Sequence, residues 1–167
     1  MSRGEEIGVL LLGLAALGMG YRTIRRREEV AIDEIGKVIA TWRGPAAVCQ
    51  GLAVALAGVG IATFAAARLL GVGSSLEAHL RQRPGTFILF CSLAGLTWSL
   101  SLVFGSVEQS GSIRRRLAGL PGRLLGVFLS ILATVGLVVG AWELVAPAGF
   151  DHVMQSIALP FATTRPR

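Results

Sequence analysis

No asparagine occurs anywhere in the chain, so N-linked glycosylation has no acceptor. Histidine is nearly as scarce: the two present, His79 and His152, both fall outside the long apolar stretches. Bis-histidine haem inside a membrane bundle needs axial ligands projecting from the spans, and none is expected here. The two cysteines, Cys49 and Cys91, lie just inside the starts of consecutive antiparallel spans. That places them near opposite membrane faces, beyond the roughly 7 Å between Cα atoms that a disulfide bridges. They are expected as free thiols, packed as small hydrophobes. HExxH, CxxC, GxSxG and the lysine-bearing glycine-rich phosphate loop are all missing. Metal hydrolysis, acyl transfer and nucleotide chemistry are therefore without a signature. The expectation is a chain that is not an enzyme and holds no cofactor or metal.

Charge is also in short supply. Of 167 residues 16% are charged and 53% hydrophobic, with mean hydropathy +0.65, against about 25% charged in a soluble domain. A bilayer core of about 30 Å takes roughly 20 apolar residues to cross. Three stretches have that length, residues 45–70, 86–107 and 124–146. A fourth, residues 7–21, offers fifteen residues or about 22 Å of helix, short for a span and comparable to a signal-peptide core. Glu5 and Glu6 before it and Arg22, Arg25, Arg26 and Arg27 directly after it read instead as a retained anchor with its basic flank inside. The fold class expected is all-α, a polytopic bundle of four spans in one membrane domain covering residues 1–167.

Net charge is +6 and the pI near 10.9, which in a soluble protein would suggest nucleic acid. Here most basic residues gather in segments 22–43 and 114–123, as expected of cytoplasmic loops. Arg3, Arg68, Arg81, Arg83, Arg165 and Arg167 fall on the other side. Both termini are then non-cytoplasmic, and anionic lipid headgroups are the expected partners of Arg25, Arg26, Arg27, Arg114, Arg115 and Arg116. Nucleic acid is not expected.

Between the spans, residues 28–43 place Ala31, Ile35, Val38, Ile39 and Trp42 at helical spacing, which predicts an amphipathic helix on the cytoplasmic interface, ended by Gly44 and Pro45. Ser74 with Glu77 fits a capping box for a short outer helix ending before Pro84. Ile113, Leu117 and Leu120 interleave with the second basic cluster, and that loop should lie flat on the membrane. Phe150, Val153, Met154 and Ile157 behind Asp151 predict an outer amphipathic helix over residues 151–159.

Small residues recur in the spans. Gly51, Ala55, Gly58, Ala62 and Ala65 follow a 4, 3, 4, 3 spacing, a seam that lets helices approach closely in lipid. Gly136 and Gly140 form a GxxxG, Gly126 and Ser130 repeat that spacing, and the third span carries Ser92, Gly95 and Ser99. Packing within the chain is the plain reading, with one seam left for a partner as the other. Two ionisable residues enter the spans, Arg68 and Glu143. Their similar depth suggests an ion pair near the interface, and no further buried charge makes a relay.

Almost no polar chemistry inside the bilayer, with ample seams, points to a non-catalytic accessory or scaffolding subunit of a larger membrane complex. A homo-oligomeric transporter or channel lined by Gln50, Thr63, Thr97, Ser99, Thr134 and Glu143 is the alternative. An anionic-lipid-binding membrane protein is a third reading. Arginine, alanine and glycine richness with short loops suggests a bacterial plasma membrane.

Overall fold

The computed structural model describes residues 3–32, 38–105 and 120–150. The elements in order are α1 (Arg3–Arg26), β1 (Glu28–Ile32), β2 (Val38–Arg43), α2 (Pro45–Leu69), α3 (Gly73–Gln82), α4 (Pro84–Phe104) and α5 (Leu120–Val145). Four of these helices, α1, α2, α4 and α5, are long and apolar enough to cross a membrane. The chain is an all-α integral membrane protein.

The apolar stretch of fifteen residues near the N-terminus is embedded in a longer helix. The helix continues through its charged flanks to a length of 24 residues, about 36 Å. Glu5 and Glu6 occupy the first turn and Arg25 and Arg26 the last, the arrangement that complements the helix dipole. Arg27 ends the helix with φ of 52°, its amide still bonded to the Thr23 carbonyl at 2.9 Å.

Residues 28–43 do not form the amphipathic helix expected of them. Strands β1 and β2 make an antiparallel hairpin, pairing Glu28 with Arg43, Glu29 with Trp42, Val30 with Thr41 and Ala31 with Ala40, with an irregularity between Ala31 and Ile32. A different set, Val30 and Ile32 in β1 and Val38, Ala40 and Trp42 in β2, recurs at a period of two, and β-branched Val30, Ile32, Val38, Ile39 and Thr41 favour the pleated form. Facing strands also set Glu28 opposite Arg43, 3.2 Å apart, a cross-strand pair that a helix would separate. The amide of Gly44 closes the hairpin base on the Arg27 carbonyl at 2.9 Å, and φ of +63° at Gly44 turns the chain into Pro45, the first residue of α2.

The spans run antiparallel in succession, and their glycines set how closely they meet. A Cβ on Gly58 would stand 2.6 Å from the Leu17 nitrogen and one on Gly13 2.6 Å from the Ala62 nitrogen. Further along, a Cβ on Gly20 would meet the Gly51 carbonyl at 2.5 Å. Backbone therefore lies on backbone along the α1–α2 seam. The α4–α5 pair is built the same way, with Gly85 against Gly140 at one end and Gly126 against the Ser99 carbonyl at the other.

Between these two tight pairs, α2 meets α4 through larger groups. The Ser101 hydroxyl donates to Gln50 Oε1 at 3.0 Å, and the Phe90 ring lies over Gly60. The resulting bundle is an open row, α1–α2–α4–α5. Among the described residues neither α1 and α4, nor α2 and α5, nor α1 and α5 pack along one another. Leu12, Met19, Phe128, Leu132 and Val138 stay exposed, as side chains facing lipid do.

The short helix α3 ends at Gln82, before Pro84, as expected, but no side chain caps its start at Val72. Ser74 falls inside the helix, and Glu77 is drawn away to Arg68 at 3.4 Å, so the capping box is not formed. The basic cluster Arg114, Arg115 and Arg116 and the helix expected over residues 151–159 lie outside the described residues.

Replacing Gly58 by alanine is expected to cost about 1–3 kcal/mol, because the added methyl meets backbone that cannot step aside. Gly8→Ala and Gly18→Ala, where a Cβ meets nothing within 4 Å, are expected to leave stability unchanged or raise it by up to about 1 kcal/mol. Unfolding of the three variants in mixed detergent micelles measures the contrast.

Candidate functional site

Gly85 follows Pro84 at the start of α4, and Arg83 supplies no side-chain cap there. The first amides of a helix lack partners within it, and here the partner comes from another span. Glu143 on α5 accepts a hydrogen bond from the Gly85 amide through Oε2 at 3.0 Å, with the residue only 4% exposed. Gly140, one turn earlier, makes this reach short: a Cβ on Gly140 would stand 2.9 Å from the Gly85 carbonyl and 3.0 Å from the Leu89 nitrogen. A Cβ on Gly85 would collide with the Glu143 carboxyl itself. The helix start carries partial positive charge, so an acidic acceptor suits it electrostatically as well as geometrically.

The ion pair considered between Arg68 and Glu143 is not among the ion pairs of the described residues. Arg68 holds Glu77 at 3.4 Å and lies 5.1 Å from the centre of the Phe64 ring, whereas Glu143 turns to the amide of Gly85. Packing explains the division: α2, which carries Arg68, and α5, which carries Glu143, stand apart in the row with α4 between them.

Hydroxyls along the α4–α5 seam are committed locally. The Ser99 and Ser130 hydroxyl oxygens lie 2.8 Å apart, and each is also within reach of a carbonyl of its own helix, Leu96 and Gly126 respectively. With one proton per hydroxyl, one of them donates to its partner and the other to its own carbonyl. Thr97 donates to the Ala94 carbonyl and Thr134 to the Ser130 carbonyl. Of the seam residues named from sequence, Gly51, Ala55, Gly58 and Ala62 face α1, and Gly136 and Gly140 face Ser92 and Leu89 of α4. Gly95 is looser, with Ala133 Cβ at 4.0 Å from where its own would stand. Sequence reasoning passed over Gly13, Gly20 and Gly85. The seven-residue spacing of Gly13 and Gly20, one heptad or about two helical turns along one face, was the signal for the first two.

At the same end as Glu143, an apolar groove of about 660 Å³ opens between α2 and α4, with Phe64, Leu80, Phe87 and Phe90 on its walls. It adjoins a smaller recess of about 380 Å³ that shares Phe64, Leu80 and Phe87 and adds Glu77 and Arg81. Cys91 lines the groove, and both it and Cys49 are free thiols.

The opposite end is closed by the hairpin, and Trp42 packs on Gly105 at the end of α4, its Cδ1 3.6 Å from where a Cβ would stand. Trp42 Nε1 and Glu29 Oε2, on residues directly paired across the strands, are both buried and without a hydrogen-bond partner. Burial pushes the Glu29 carboxyl above its usual range because the charged form loses hydration. Arg25, Arg26 and Arg27 are exposed at this end. No cluster of three metal-ligating side chains occurs among the described residues. Comparison of the chain with models of known families, with curated proteins and with solved structures finds no match.

Glu143→Ala leaves the Gly85 amide unpaired in a buried place and is expected to cost about 1–3 kcal/mol, while Glu143→Gln keeps an acceptor oxygen and should cost clearly less. Thermal unfolding of both in detergent separates a cap from a charge requirement. At the other end, an unfolded chain releases the Glu29 proton at the ordinary, lower pH. Hairpin stability is then greatest below that value, falls as pH rises through the interval up to the folded pKa, and stays reduced above it. Glu29→Gln should therefore raise the unfolding temperature at pH 7.5 and leave it unchanged at pH 4.

Proposed function

We propose that this protein is a non-catalytic accessory or scaffolding subunit of a multi-subunit integral membrane complex. The observation that carries this reading is the open row. Helices α1 and α5 each pack along a single neighbour among the described residues, and a row with two free edges accommodates further membrane helices on either side. Because the small-residue seams are occupied within the chain, partners meet the larger side chains of the edges, such as Leu12 and Met19 on α1 and Phe128 and Leu132 on α5. Interhelical contact through such surfaces rests on shape and van der Waals packing, as lipid offers no hydrophobic drive between helices.

The proposed setting is a bacterial plasma membrane with both termini on the non-cytoplasmic side. Among the described residues Arg22, Arg25, Arg26, Arg27, Arg43 and Arg123 lie at the hairpin end with Glu28 and Glu29, while Arg3, Arg68, Arg81 and Arg83 at the α3 end share it with Glu5, Glu6, Glu77 and Glu143. The excess of positive charge at the hairpin end favours that end as cytoplasmic, and anionic headgroups as its lipid partners. The alternative of a homo-oligomeric transporter or channel draws less support, since of its six lining residues Gln50, Thr97, Ser99, Thr134 and Glu143 spend hydrogen bonds on holding helices together or on their own backbone, which leaves Thr63 on the wall of an apolar groove.

Extraction of the native membrane in mild detergent should yield a particle with protein mass well above the 17.5 kDa of one chain, containing other polypeptides in fixed ratio. Light scattering with quantitative mass spectrometry reads both quantities. A lone chain would sink the proposal, and a particle made only of copies of this chain would move the assignment to the transporter class.

A further inference from the structure

We propose that the groove between α2 and α4 holds an acyl chain of an anionic phospholipid, with Arg81 at its mouth facing the headgroup phosphate. The groove has the volume of a small-molecule site, about 660 Å³ within the roughly 300–1,000 Å³ usual for such pockets. It lies between two membrane-spanning helices, where hydrocarbon is the surrounding medium. Phe64, Phe87 and Phe90 make its walls and Leu80 of α3 stands over one end.

Its depth depends on a glycine. A Cβ on Gly60 would lie 2.9 Å from Cε1 of Phe90, so the ring rests against bare helix backbone, and any larger residue would push it into the groove. The occupant is identified by what the walls lack. An inserted peptide would bring backbone N–H and C=O groups into a place with almost no side chain to bond them, which hydrocarbon surroundings penalise heavily. A helix of another chain, about 10 Å across, needs a face open along its length, whereas α3 closes one end. A hydrocarbon tail asks for no hydrogen bonds and fits both conditions.

Charge selects the headgroup. The adjoining recess carries Glu77 and Arg81, but the Glu77 carboxyl is engaged by Arg68 at 3.4 Å. Among the described residues Arg81 makes no ion pair. An exposed guanidinium beside the opening of an apolar groove is complementary to a phosphate at the head of a chain, and the attraction is stronger for an anionic headgroup than for a zwitterionic one, whose own ammonium offsets the phosphate charge.

Native mass spectrometry of the full chain in mild detergent, incubated with equal amounts of dioleoyl phosphatidylglycerol and dioleoyl phosphatidylcholine, tests this. One phosphatidylglycerol per chain should survive activation that strips the phosphatidylcholine, with a preference of roughly fivefold for one arginine near the headgroups. Ala57→Trp, which fills the groove from α2, should abolish the retained lipid. Arg81→Gln, on the exposed surface of α3, should keep a lipid and lose the preference, and it decides the matter if Ala57→Trp does not fold. Equal retention of the two lipids by the wild type, or a preference that survives Arg81→Gln, would overturn the proposal. So would a Cys91-to-Cys91 crosslink between copies in delipidated protein, or a lipid gained only after removal of residues 151–167, which would assign the groove to a second copy or to the C-terminal segment.

Discussion

Helices in a bilayer gain nothing by hiding apolar surface from one another, because the lipid is as apolar as they are. Association has to come from close contact, and in this protein that contact is glycine backbone against backbone. Gly13, Gly20, Gly51 and Gly58 join α1 to α2, and Gly85 with Gly140 joins α4 to α5. The remaining features follow from these approaches. The first seam brings the ends of α1 and α2 close enough for the Gly44 amide to reach the Arg27 carbonyl and close a hairpin. The second brings Glu143 onto the first turn of α4.

Polar groups inside the spans then act as fasteners. Ser99 with Ser130 adds to the seam between α4 and α5, and Ser101 with Gln50 links the two tight pairs. Interhelical bonds of this kind contribute about 0.6 kcal/mol each on average, so they align helices that packing already holds. The weaker middle of the row is where the groove opens, for a physical reason: aromatic rings of α4 lie between the helices there, and rings cannot bring backbones as near as glycine does.

The spans were legible because hydrophobic length and charge gaps are properties of the chain itself, as was the close packing of residues 51, 55, 58 and 62. The hairpin was not. Residues 28–43 offer a helical period and a strand period at once, and the deciding terms are the backbone ladder between the strands and the cross-strand pair of Glu28 with Arg43, which exist only once the chain has folded back. Glu77 shows the same limit: its spacing from Ser74 suits a cap, yet an arginine nine positions earlier claims it.

By itself the sequence determined that this chain lives in a bilayer, where four membrane-spanning helices run and which loops carry the positive charge, because transfer of side chains between water and lipid depends on composition and local order alone. Tertiary structure decided who meets whom. Glu143 and Gly85 are 58 residues apart, and no local pattern says that the carboxyl caps a neighbouring helix instead of pairing with Arg68. The order of the row decides it, since α4 stands between those two charges and takes one of them for its own unpaired amide.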